Sequence, residues 1–128
     1  MEKPKVIKAH EDNRGTIYSL SGIASDGKEI TILDTRKGFA RGGCIHDIND
    51  EYVTVLEGVV KYWVGDEHPE ILRKGMSTII PANTPHMLVA QTDSIVVEWG
   101  KTKDELDGKD LEMRKKVDEI NARNNKVQ

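Results

Sequence analysis

The chain has 128 residues, enough for one domain with its own core and no need of disulfide staples. Hydrophobic residues make up 37%, charged residues 32% and the net charge is -3, a balance that gives no reason to expect nucleic acid or an anionic membrane as a partner. One cysteine excludes an internal disulfide framework, no apolar run approaches the roughly 18 residues of a membrane span, and Met1–Pro4 is followed by charge rather than an apolar leader, so a soluble cytoplasmic protein is expected.

Val6 and Ile7 suit a short strand, and residues 10–15, HEDNRG, read as a polar turn. Thr16–Leu20 and Glu29–Leu33 follow as strands, separated by turn signals at Ser21-Gly22 and Asp26-Gly27. From Asp34 to Gly43 the chain becomes basic and glycine-rich, which predicts a loop, either a lip over a site or a solvated connection. Tyr52–Leu56 and Val59–Val64 form the clearest strand pair. In the second, Val60, Tyr62 and Val64 share one face, while Val59, Lys61 and Trp63 share the other and would suit a partner surface. Glu70–Leu72, Met76–Ile80, His86–Ala90 and Ile95–Trp99 supply further strands. Many short strands between Gly, Pro, Asn and Asp turns predict an all-β sandwich or barrel.

The character changes after Gly100. Lys109–Asn124 lacks Pro and Gly, and Leu106, Asp110, Met113, Val117 and Ile120 step in fours and threes, which predicts a terminal amphipathic helix. The expected division is therefore a β-barrel over residues 1–100, with a helix and tail over 101–128.

Two stretches concentrate the chemistry. In RGGCIHDINDEYVTVLEG, Arg41 to Gly58, Cys44 and His46 are two apart on a predicted strand and leave by the same face, with Glu51 close behind. In GMSTIIPANTPH, Gly75 to His86, a strand stops at Pro81 and His86 opens the next one. Were the stretches to pair, sulfur, two imidazoles and a carboxylate would meet. That set suits Zn, Fe, Ni or Cu better than Mg or Ca, and without Cys44 the two histidines and one carboxylate still match a facial triad with open positions. Cys44 is equally readable as a small buried hydrophobe.

The spacing CxHxxxxExxxxxxG followed by GxxxxxPxxxxH resembles the paired motifs of the cupins, GxxxxxHxHxxxxExxxxxxG and GxxxxxPxGxxHxxxN. His46, Glu51, Gly58, Gly75, Pro81 and His86 stand where that pattern wants them, whereas Cys44 replaces its first histidine, Asn83 its glycine and Ala90 its asparagine. The resemblance implies an all-β single cupin barrel, a small jelly roll, with the C-terminal α-helix appended. It also implies a divalent metal on Cys44, His46, Glu51 and His86, a small-molecule ligand or substrate for an isomerase or dioxygenase, and a homodimer. A second resemblance lies in DNRGTI at 12–17 and RGGCIH at 41–46, which are similar to segments of sugar-nucleotide epimerases and ketoisomerases within the same superfamily. It implies metal-free catalysis, with His46 transferring a proton and Arg41 holding phosphate. A non-catalytic sensing or binding cupin is the third expectation.

Overall fold

Alternating apolar residues and frequent turn residues build two antiparallel sheets. The computed structural model describes residues 5–21, 28–65, 68–102 and 107–127. The strands are β1 (Lys5–Asp12), β2 (Gly15–Ser21), β3 (Lys28–Thr35), β4 (Ala40–His46), β5 (Glu51–Glu57), β6 (Val59–Val64), β7 (Glu70–Arg73), β8 (Ser77–Ile80), β9 (His86–Ala90), β10 (Ser94–Thr102) and β11 (Asp107–Lys109), followed by helix α1 (Leu111–Val127). One sheet has the order β1-β2-β3-β10-β5-β8, the other β11-β4-β9-β6-β7. Their facing sides enclose Leu33, Val53, Val55, Val60, Tyr62, Leu72, Ile80, Leu88 and Val96, all buried. This is the jelly-roll arrangement expected of the sequence.

Several elements differ from the sequence reading. The polar turn shrinks to Asn13 and Arg14, because β1 continues to Asp12 and pairs it with Gly15. The loop expected over Asp34–Gly43 is confined to residues 36–39, since β3 runs to Thr35 and β4 begins at Ala40. At the other end, β10 passes through Gly100 to Thr102, and β11 returns to pair with β4 through Asp107↔His46, Gly108↔Ile45 and Lys109↔Cys44. The turn signals at residues 22–27 and Leu106 lie outside the described residues.

Helix α1 packs on its own barrel. Asp110 caps it, its Oδ2 accepting the Met113 N–H at 3.0 Å, as an N-cap side chain should. Met113 and Val117 bury against Ala40 and Met87 on the outer side of the five-stranded sheet, with Trp63, Val89 and Ile120 packed around them. Complete burial of a side chain of this kind contributes on the order of 1.5–3 kcal/mol. Trp63 therefore packs against the cluster that the helix completes, and the face of β6 that the sequence offered to a partner is in part taken by the chain itself.

The same helix reaches the backbone of β4. Asn121 Oδ1 accepts the Ala40 N–H at 2.8 Å and its Nδ2 donates to the Ala40 carbonyl at 3.0 Å. Asn124 Nδ2 donates to Gly38 O at 2.7 Å and Arg114 Nη1 to Gly42 O at 3.0 Å. The Asp110 N–H donates to Gly43 O at 3.0 Å.

Candidate metal centre

Strand β4 carries three of the residues singled out from the sequence. Simple alternation would place Arg41 on the face opposite Cys44 and His46. The pairing of β4 with β9 slips between Gly42 and Cys44, so that Gly42 opposes Met87 and Cys44 opposes His86. Gly42 (φ 117°) and Gly43 (φ 83°) form a bulge in the left-handed region that favours glycine. One extra residue restores the phase, and Arg41, Cys44 and His46 all line one cavity of about 210 Å³. The consecutive glycines of RGGC were the signal for this irregularity.

Glu51 opens β5 and His86 opens β9. The loop before His86 turns at Asn83, whose φ of 63° explains how it stands in for the glycine of the pattern, asparagine being the residue after glycine that best tolerates this conformation. Its N–H donates to the carbonyl of His46 at 2.7 Å, tying the second motif to the first. The expected pairing of the two stretches is thus met by backbone contacts as well as by register.

His46, Glu51 and His86 are buried, and their potential ligand atoms lie within 4.8 Å of one another. Glu51 Oε1 is 3.1 Å from His46 Nε2 and 3.7 Å from His86 Nε2. Despite this proximity, Oε1 makes no hydrogen bond of acceptable geometry. The atoms converge without being aligned as donor and acceptor, as lone pairs aimed at a common point would be. His86 Nδ1 donates to Thr84 O at 3.4 Å, a long contact that leaves Nε2 to face Glu51. The two imidazoles stand 5.0 Å apart at 42°, and Tyr62 lies parallel to His86 with centroids 6.5 Å apart. Two imidazole nitrogens and a carboxylate oxygen fit a divalent transition metal. The thiol of Cys44 lines the same cavity but does not belong to this close group.

Burial pushes the Glu51 carboxyl up, but the close approach of His46 and the charges of His46 and His86 outweigh it and hold the group below its ordinary range. The Tyr62 hydroxyl is raised well above its usual value, first by burial and then by Glu98 and Glu51, so it stays a neutral donor. Glu98, left undecided between core and solvent by the sequence, faces inward; its carboxyl is within hydrogen-bonding reach of Glu51 and Tyr62. Lys101 also lines the cavity and carried no sequence signal.

Arg41 is only 4% exposed. Its Nε donates to Thr35 Oγ1 at 2.8 Å and its Nη2 to Asp34 O at 3.2 Å, while buried Nη1 has no hydrogen-bond partner. Burial lowers its pKa to about 10, still far above neutrality. The DNRG segment, by contrast, lies outside the cavity. Asp12 Oδ1 accepts the Arg14 N–H at 2.9 Å, and Arg14 Nη2 donates to Asp12 Oδ2 at 2.7 Å, a turn whose Arg14 carbonyl also accepts the Arg36 N–H at 2.8 Å and whose Asn13 bonds Asn125 of the helix.

Among solved structures, KdgF from Halomonas sp. matches with a TM-score of 0.61 at 18% identity, over 78% of this chain and 90% of that one. A sugar phosphate isomerase of the cupin superfamily from Silicibacter pomeroyi matches with a TM-score of 0.58 at 21% identity, over 73% and 64%. A Bacillus subtilis oxalate decarboxylase with Mn(II) centres matches with a TM-score of 0.65 at 17% identity, over 77% of this chain but only 29% of that one. The chain likewise covers 28% of the capsular polysaccharide assembling protein CapF from Staphylococcus aureus. No curated protein sequence matches. The model of the cupin domain matches residues 39–114, which hold both motifs, the bulged strand and the start of the helix. The chain belongs to the cupin family.

Proposed function

We propose that the chain binds one divalent transition metal, Fe, Zn, Ni, Cu or Mn, through His46, Glu51 and His86, and acts on a small polar molecule held in the barrel. The observation that carries this is the convergence of two buried imidazole nitrogens and a Glu51 oxygen that no hydrogen bond satisfies. A metal there would supply positive charge to polarise a substrate oxygen. The chain's own residues would orient the substrate and move protons, with the neutral Tyr62 hydroxyl as a donor and Glu98 beside it. Isomerase or dioxygenase chemistry fits such a site, and an isomerase and an Mn(II) protein among the structural neighbours lend support.

The metal-free sugar-nucleotide reading fits less well. A cavity of about 210 Å³ lies below the roughly 300–1,000 Å³ that encloses drug-sized ligands. The Arg41 fork that would grip a diphosphate is already engaged by Thr35 and Asp34. Elemental analysis of protein purified without a metal-affinity tag is the test, alongside His46→Ala and Cys44→Ser. Near-stoichiometric metal lost in His46→Ala supports the proposal, and the Cys44→Ser result shows whether sulfur contributes. Protein that holds no metal, even after each of the five is added, sinks it.

We also propose that the chain pairs with a second copy, through the outer side of the six-stranded sheet rather than through Val59 and Trp63. There Leu20, Ile30, Trp99, Tyr52 and Ile79 are successive cross-strand neighbours. Tyr52, Ile79 and Trp99 are 38%, 54% and 37% exposed, and no helix covers them among the described residues. Light scattering on the native chain and on Ile79→Glu should show a dimer converted to monomer; a monomeric native chain refutes the pairing.

A further inference from the structure

Arg41 carries a polar atom that the metal-centred reading leaves unexplained. The residue lines the cavity, and its Nη1 is buried without a hydrogen-bond partner. A charged donor left unsatisfied in an interior is costly, so one on a buried residue that lines a cavity points to an acceptor there. We propose that this acceptor is the carboxylate of a small organic acid, and that Arg41 positions it across the cavity from His46, Glu51 and His86. The inference deepens the metal-centred reading and rests on it for the placement of the rest of the ligand.

Three observations choose a carboxylate over a phosphate. The guanidinium has Nε and Nη2 committed to Thr35 and Asp34, leaving one nitrogen, which suits a carboxylate oxygen rather than the several oxygens of a phosphate. The lining carries Arg41 and Lys101 against Glu51 and Glu98, so the protein's charges balance at two of each sign. A bound divalent cation would tip this to positive, and one or two carboxylates would restore it, whereas a phosphate would crowd dianionic charge beside two glutamates. Finally, Ile17 and Leu33 share the lining and offer apolar contact to a short carbon skeleton. The two anchored contacts also fix the guanidinium before any ligand arrives, so little freedom is lost on binding.

The test titrates sodium pyruvate, and separately sodium phosphate, into the full chain with and without Zn(II), using calorimetry with zinc content measured on every sample. Native chain, Arg41→Lys and Arg41→Met are compared. Pyruvate should bind the native chain, bind Arg41→Met at least roughly tenfold more weakly at unchanged zinc content, and bind better than phosphate. Equal binding to Arg41→Met, tighter binding of phosphate, or no binding of pyruvate at about ten millimolar overturns the proposal. Because either substitution could disturb folding, the Arg41 side-chain Nε–H resonance of the native chain gives an independent readout. It should shift on adding pyruvate, and an unmoved resonance also overturns the proposal. Arg41-dependent pyruvate binding by a chain that takes up none of the five metals would leave this inference standing while the metal-centred reading failed.

Discussion

Replacing Gly42 by alanine tests whether the bulge in β4 builds the site. A Cβ there would lie 2.6 Å from His86 O and 2.7 Å from Met87 Cα, both backbone atoms of β9 that no rotamer change can move. The φ of 117° adds a conformational cost of about 1–2 kcal/mol, and overpacking against a fixed strand adds about 1–3 kcal/mol. Gly75→Ala is the internal control. It shares a positive φ, 85°, but its Cβ would meet nothing within 4 Å, so only the conformational cost of about 1–2 kcal/mol applies. With a urea slope of about 1–3 kcal/mol/M, the Gly42→Ala midpoint should fall below that of Gly75→Ala by about 1 M. Metal content should fall with it, because relief of the clash moves β4 away from β9 and separates His46 from His86. Equal midpoints for the two variants, with full metal content in both, would show that the bulge does not hold the site together.

Glu51→Gln should lower metal content and remove most of the stabilisation that metal gives, about 2.7 kcal/mol when free metal is a hundred times its dissociation constant; chelator should lower the native urea midpoint but leave that of the variant unmoved. On acidification, metal should leave as protons compete with it for its ligands, the Glu51 carboxyl among them being held below its ordinary range. For the metal-free protein the same depression means that Glu51 contributes stability above that ordinary range, lost as pH falls through the lowered value; the two phases are separable by following metal release and unfolding against pH. Asn121→Leu strands the N–H and carbonyl of fully buried Ala40 and should cost about 1–3 kcal/mol per group in urea unfolding, with Asn121→Asp, which keeps the acceptor, losing less.

The barrel was legible because its signals are local. Alternation along Val59–Val64 gave β6 its bounds, and the spacing of His46, Glu51 and His86 identified the group that the fold brings together. What escaped depended on distant contacts. Arg41 was expected at the site through the resemblance alone; its route there, a one-residue slip against β9, depends on a strand some forty residues further on. Glu98 sits on a strand whose two faces are both partly apolar, so period two could not tell inside from outside; only the pairing of β10 between β3 and β5 decides it. Trp63 looked available to a partner because the helix residues of the cluster it packs against are remote in sequence. The expectation for β11 was missing since three residues of a DGK run carry no strand signal.

The amides of α1 have one more effect, on how the protein meets other chains. From Gly38 to Gly43 the outer edge of β4 is occupied by Asn124, Asn121, Arg114 and the Asp110 N–H, and from Cys44 to His46 by β11. An incoming strand therefore finds no vacant ladder on β4 itself, and among the described residues the sheet edges are β1, β7, β8 and the three-residue β11. β1 is exposed along all eight residues, but Lys5 and Lys8 charge it against intruders. A variant without α1 would uncover the β4 ladder, and strand exchange or aggregation through that edge would then compete with assembly of the site.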